Sequence, residues 1–220
     1  MTMATEQTER PGRPVSKRRE ATRERLRAAA IEAFAERGFH GTSVEDLCER
    51  AGFTRGAFYS NYASREELVL DLYERQGAAI NARLAEIGAT ADLEPRELLR
   101  QVMAVWGEEE AGAERRRAFN LLLGEFTLHA IRDPEAGAAW HAVQGRLRAD
   151  TARLLQDYLR VRGLTVPVSS DDLARLLHVV VQGSTTQHLL DPQAGSAESL
   201  AESFVALLLQ AARPTSAVGA

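Results

Sequence analysis

The sequence predicts an all-α protein, with three short crossed helices at the N-terminal end and a larger helical body behind them. Three observations carry this reading. Three helix-start signals crowd into residues 42–67, TSVEDLCERAGFTRGAFYSNYASREE. Apolar residues then recur at spacings of three and four through most of the remaining chain. No alternating strand pattern competes, apart from the short Leu164-Thr165-Val166 turn.

The first helix carries an apolar stripe of Leu26, Ala30, Ala33 and Phe34, and Gly38 is expected to end it. Thr42-Ser43-Val44-Glu45 reads as a capping box, with Val44, Leu47, Cys48 and Ala51 forming the apolar face of a second helix. Gly52 suits the left-handed residue that closes such a helix, and Phe53 is the apolar residue of the turn. Thr54 is the expected N-cap of a third helix, Arg55 to about Tyr62, with Phe58 packing back on Leu47 and Ala51. Ser64-Arg65-Glu66-Glu67 repeats the capping signature. The helix it starts is expected to run through Leu68, Leu72, Ile80, Leu84 and Ile87 into the body, with a bend at Gly77.

Helix, tight turn and second helix make a helix-turn-helix, a layout in which one helix braces and the next enters a DNA major groove. Arg55, Gly56, Tyr59 and Asn61 are expected on the open side of the reading helix, where Arg and Asn reach base edges and glycine lets the backbone approach. Free amides near Thr42, Ser43 and Thr54 suit phosphate.

Residues 38–70 resemble the DNA-binding domain of the tetracycline-repressor (TetR) family. The matching positions are Gly38-Phe39, Thr42-Ser43, Ala51-Gly52, Thr54, Gly56, Phe58, Tyr59, Tyr62, Arg65, Glu66-Glu67 and Leu68. The resemblance implies that Thr42, Thr54, Tyr59, Tyr62 and Arg65 contact phosphates or sugars, and that Arg55, Gly56 and Asn61 lie near base edges. Arg65 stands where the family usually has Lys, Asn61 where His is frequent, Phe53 where a smaller apolar residue is usual, and Cys48 where Ala is typical.

A net charge of −4 argues against indiscriminate nucleic-acid binding. The positive charge is instead local. Arg10, Arg13, Lys17, Arg18, Arg19, Arg23, Arg25 and Arg27 gather around the first helix against Glu9, Glu20 and Glu24. Such an arm is expected to follow a phosphate backbone or enter a minor groove. Gly12-Arg13-Pro14 speaks against regular structure there. A composition 45% hydrophobic and 26% charged is that of a soluble globular chain, and no apolar run reaches the roughly 18 residues that span a bilayer. With a polar start and a single cysteine, the expected place is the cytoplasm.

In the body, helices are expected near 95–110, 114–131, 135–162, 171–190 and 197–212. Pro95, Gly112, Asp133-Pro134, Gly163 to Pro167 and Asp191-Pro192 punctuate them. Trp140, Val143, Leu147, Thr151, Leu154 and Tyr158 form one stripe. Leu173, Leu176, Leu177, Val180, Val181 and Ser184 form another, and Leu200, Phe204, Leu207, Leu208 and Ala211 a third. The last two helices are apolar over more than one face. That surface fits a four-helix bundle built from two copies, or else packing filled within one chain.

No catalytic, metal or phosphate-loop constellation emerges, so neither an enzyme nor a cofactor is expected. His129 and Asp133 sit one turn apart, and His141, His178 and His188 match no ligand spacing. Trp106, Phe119, Phe126 and Trp140, with Gln144, His178 and Gln182, offer aromatic walls and polar groups for a small-molecule pocket. Taken singly, each aromatic reads as plain core. The family resemblance is what implies an effector site here.

The expected organisation is a flexible basic arm over 1–17, a DNA-binding domain over 18–64, an effector-binding and dimerisation domain over 65–212, and a disordered tail over 213–220. The expected function is a homodimeric repressor released from a near-palindromic double-stranded operator by a small-molecule effector, with no membrane partner. An all-helical enzyme and a helical interaction module without DNA binding are the other readings of the same pattern.

Overall fold

The computed structural model describes residues 17–89, 112–191 and 197–214, together with 97, 101, 105 and 193. The expected all-α fold is found. The elements are α1 (Lys17–Gly41), α2 (Val44–Ala51), α3 (Arg55–Tyr59), α4 (Arg65–Ala89), α5 (Ala113–Arg132), α6 (Pro134–Val161), α7 (Ser170–Leu190) and α8 (Ala197–Ala211). The helix expected near 95–110 lies almost wholly outside the described residues, as does the arm before Lys17. Lys17 itself opens α1.

Several boundaries differ from expectation for local reasons. Gly38 (φ 74°) interrupts α1, but a last turn re-forms through Gly41. The Thr42 hydroxyl is occupied, donating to the carbonyls of Gly38 (2.9 Å) and Ala33 (3.2 Å), so it caps nothing ahead of it. The capping box falls one residue later. Ser43 Oγ accepts from the Asp46 amide, and the Asp46 carboxylate accepts from the Ser43 amide. Helix α3 stops at Tyr59, and the chain closes with the Asn61 and Tyr62 amides both donating to the Phe58 carbonyl.

The expected bend at Gly77 is absent, because this glycine serves close approach instead. A Cβ there would lie 2.5 Å from Leu147 Cδ1, so α4 runs unbroken against α6. Leu164–Thr165 pairs antiparallel with Arg213–Pro214, which draws the first two residues of the expected tail into a short ladder.

One core joins the two parts. Leu26, Phe34, Phe39, Leu47, Phe58, Tyr62, Leu68 and Phe126 are all buried within it. An aromatic chain crosses from unit to body: Phe34 to Phe39 (5.5 Å between centroids), Phe39 to Phe126 (5.3 Å), Phe126 to Trp140 (5.3 Å) and Trp140 to Tyr73 (4.4 Å). The first three contacts lie in the range where ring pairs add stability beyond their buried area, and Trp140 and Tyr73 sit at its near edge.

Candidate nucleic-acid interface

The reading helix is held by its ends and its back. Thr54 Oγ1 accepts from the Ala57 amide (3.2 Å), and fully buried Phe58 faces the core. Behind it, Gly52 (φ 69°) takes the left-handed cap of α2, and half-buried Phe53 lies under the Arg25 guanidinium, 4.6 Å from the ring centroid. That geometry leaves Thr54, Arg55, Gly56, Tyr59 and Ser60 exposed. Arg55 pairs with Glu45 at 2.8 Å and sits near the Tyr59 ring, whose exposure is 49%. An exposed pair of this kind is worth little, so a phosphate or a guanine edge can displace Glu45 at small cost. Ser43 and Lys17 are exposed as well.

Other expected contact residues face inward. Thr42 is fully buried, its hydroxyl spent on α1 carbonyls. Asn61 is 8% exposed, and its amide donates to the Ala57 carbonyl (2.8 Å), so it braces the turn instead of facing base edges. Tyr62 is 1% exposed and donates to Asp71 Oδ2 (2.6 Å). Burial, then the Asp71 bond, pushes its phenol up to about 12, so it stays a donor. Arg65 is half-buried and donates to the carbonyls of Phe39 (3.0 Å) and Thr42, which ties the start of α4 to the α1–α2 turn.

Part of the expected basic arm is likewise structural. Arg27 is 5% exposed and bridges Glu20 (2.6 Å) and Asp71 (2.9 Å). Arg23 reaches the other Asp71 oxygen (3.0 Å), and Arg25 donates to the Ala51 carbonyl (2.8 Å). Burial would raise the Asp71 carboxyl, but the Tyr62 and Arg27 hydrogen bonds and the Arg23 charge outweigh it and hold it below its ordinary value. The sequence reading missed this network. Glu20, Arg23 and Arg27 fall at i, i+3 and i+7, one face of α1, and that spacing was the available signal. Burial raises the Cys48 thiol, in keeping with a packing role.

The expected pocket residues do not form one site. Phe126 (0% exposed) and Trp140 (6%) are packed core, with Phe119 packed against it. Gln144 lies close enough to Tyr73 to act on its phenol, a partner the sequence did not indicate. His178 and Gln182 lie on exposed positions of α7, and Trp106 is outside the described residues. Clefts of about 360 Å³ (Arg83, Glu86, Ile87, Gln101) and about 320 Å³ between α1, α4 and α6 are lined by none of Phe119, Phe126, Trp140, Gln144, His178 or Gln182. Asp133 caps α6, its Oδ1 accepting from the Ala136 and Glu135 amides, and those bonds, with the nearby His129, hold its carboxyl below the ordinary value against the small cost of burial. Among the described residues no His/Cys/Asp/Glu cluster could hold a metal, and no helix is long and apolar enough to cross a membrane.

Comparison with known proteins agrees with this geometry. Residues 26–72 match the family described as bacterial regulatory proteins, tetR family. Residues 95–210 match the C-terminal part of BetI-type transcriptional repressors. The HTH-type transcriptional regulator AcrR of Shigella flexneri is 24% identical over 193 residues, 86% of this chain and 88% of that protein. Among solved structures, a TetR-family regulator from Rhodococcus sp. has a TM-score of 0.70 at 17% identity, covering 86% of this chain and 98% of that one. The regulator FadR from Bacillus subtilis, in complex with stearoyl-CoA, has a TM-score of 0.66 at 16% identity, covering 86% and 98%. The chain belongs to the TetR family of bacterial transcriptional regulators.

Proposed function

We propose that the protein is a homodimeric repressor that binds a near-palindromic operator and leaves it when a small molecule enters the helical body. The observation that carries this is the two-sidedness of α3: Phe58 is buried behind it, while Thr54, Arg55, Gly56 and Tyr59 stand open in front. Lys17 and Ser43 add flanking phosphate contacts, and Arg65 acts indirectly by fixing the α1–α2 turn. The protein works by binding, without catalysis or cofactor, in the cytoplasm.

Dimerisation is assigned to α7 and α8. Leu176, Val179 and Leu190 on α7, and Leu200 and Leu207 on α8, are exposed. Gly183 on α7 faces open space, where a second helix can approach closely. Two copies paired there place their α3 helices in successive major grooves, about 34–36 Å apart.

The effector is assigned to the body, beside the packed rings of Phe126, Trp140 and Tyr73, with Phe119 against the same core. Parting those rings would disturb Phe39, the next link of the aromatic chain. Relatives of this fold carry ligands of different chemistry: FadR holds stearoyl-CoA, and a regulator from Saccharomonospora viridis (15% identical, TM-score 0.61) holds choline. A ligand releases DNA only by favouring one arrangement over the other.

The test is an anisotropy titration against duplexes from DNA flanking the protein's own gene. Neutralising six to ten phosphates lowers affinity roughly 10³–10⁵-fold between 50 and 200 mM salt. Arg55→Ala is expected to cost about 1–3 kcal/mol and to relax discrimination at one base pair. Unchanged binding of every operator variant would remove Arg55 from the interface.

A further inference from the structure

We propose that Glu125 of α5 is the positioning residue through which the helical body steers the DNA-reading helices, a role that rests on the regulator reading above. Its carboxylate accepts the Phe39 amide at 2.5 Å, a hydrogen bond from the DNA-binding unit to a body helix 86 positions away. Donor and acceptor are fitted to each other. Gly38 is left-handed (φ +74°), and a Cβ on it would fall 2.6 Å from Glu125 Oε2. Only glycine allows both the break in α1 and the approach of the carboxylate.

The turn that Glu125 grips is where four helices meet. The Thr42 hydroxyl ties it to α1, and Arg65 of α4 donates to its Phe39 and Thr42 carbonyls. Ser43, the next residue, caps α2, so a displaced turn carries α2 and then α3 with it. On the body side, neighbouring Phe126 touches both Phe39 and Trp140 of α6. A rotation of α5 in the body therefore moves Glu125. Contact between α1 and α5 is also more extensive than between α1 and α4, so the route does not depend on α4 alone.

The test uses the full chain with Glu125→Gln, which keeps the shape and removes the charge, and hydrogen exchange with and without saturating operator duplex. Coupling free energies are reciprocal. Duplex binding should slow exchange across residues 117–131 in the wild type and leave them unchanged in saturated Glu125→Gln. Operator affinity should fall about tenfold, because a Gln oxygen accepts the Phe39 amide without the charge that makes the bond roughly twice as strong. If α5 stays protected in Glu125→Gln, or is never protected in the wild type, the proposal is overturned.

A wild type that binds no duplex would instead sink the regulator reading. The coupling is then judged in the free protein, where Glu125→Gln must speed exchange over residues 42–62 and spare 134–161; equal exchange overturns it. Should Glu125→Gln fail to fold, Glu125→Asp takes the same measurements, because a carboxylate shortened by one methylene cannot reach the Phe39 amide from the same backbone position.

Discussion

The DNA-binding unit and the α7–α8 end of the body treat their apolar side chains in opposite ways. In the unit, Leu26, Phe34, Phe39, Leu47 and Phe58 are each at most 1% exposed. On α7 and α8, Leu190 is 82% exposed, Leu207 63% and Val179 60%. A folded chain rarely leaves such residues in a row on adjoining helices without a use for them. The small unit finishes its core with help from α4 and α5. On the dimeric reading proposed above, the far end is finished by a second copy.

The sharpest way to break this contrast is Val179→Asp, which sets a charge in the middle of the open α7 face. Sedimentation should show a monomer where the wild type is a dimer. Operator affinity should drop by at least about a hundredfold, because the two half-sites are no longer held by linked modules. A variant as dimeric as the wild type would make those residues ordinary surface.

Asp71→Asn probes the closed side. It removes the charge and one of the two acceptor oxygens shared by Arg23, Arg27 and Tyr62 and is expected to cost about 3 kcal/mol in chemical denaturation, as for other broken buried pairs. Because the fold holds this carboxyl below its ordinary 3.8, its contribution is complete above that value and fades as pH falls through the lower folded one. Wild-type stability should therefore fall more steeply than that of Asp71→Asn in this acid window. Parallel curves would show that Asp71 is not held as described.

Thr54→Ala is the mildest change. Loss of the cap on the five-residue α3 should cost about 1 kcal/mol, read as a lower denaturation midpoint with an unchanged slope.

What the sequence revealed follows from how local the physics is. Capping residues, Gly52 and the 3.6-residue periodicity act within a turn or two, so the helices of the unit and most body boundaries could be read in order. The inward turn of Thr42, Asn61 and Tyr62 could not. Each is polar and next to residues that do face out, and only partners far along the chain reveal the burial. Asp71 lies nine residues from Tyr62 and 44 from Arg27. Glu125 is farther still from Phe39. The body aromatics failed for a related reason: spacing shows that Phe126 and Trp140 face inward, but not whether they meet a ligand or each other.

Gly77 sits at the midpoint of α4, twelve residues from Arg65 and twelve from Ala89, and it bears on Leu147 without a side chain of its own. Beside it, Asn81 is hydrogen-bonded to Leu147 and Thr151 of α6. A stiff rod pinned at its middle is a seesaw. Each arm is about 18 Å long, so a tilt of about 10° swings the Arg65 end by about 3 Å. In the symmetric pair proposed above that travel is doubled, enough to spoil the fit of two α3 helices to grooves one helical turn apart.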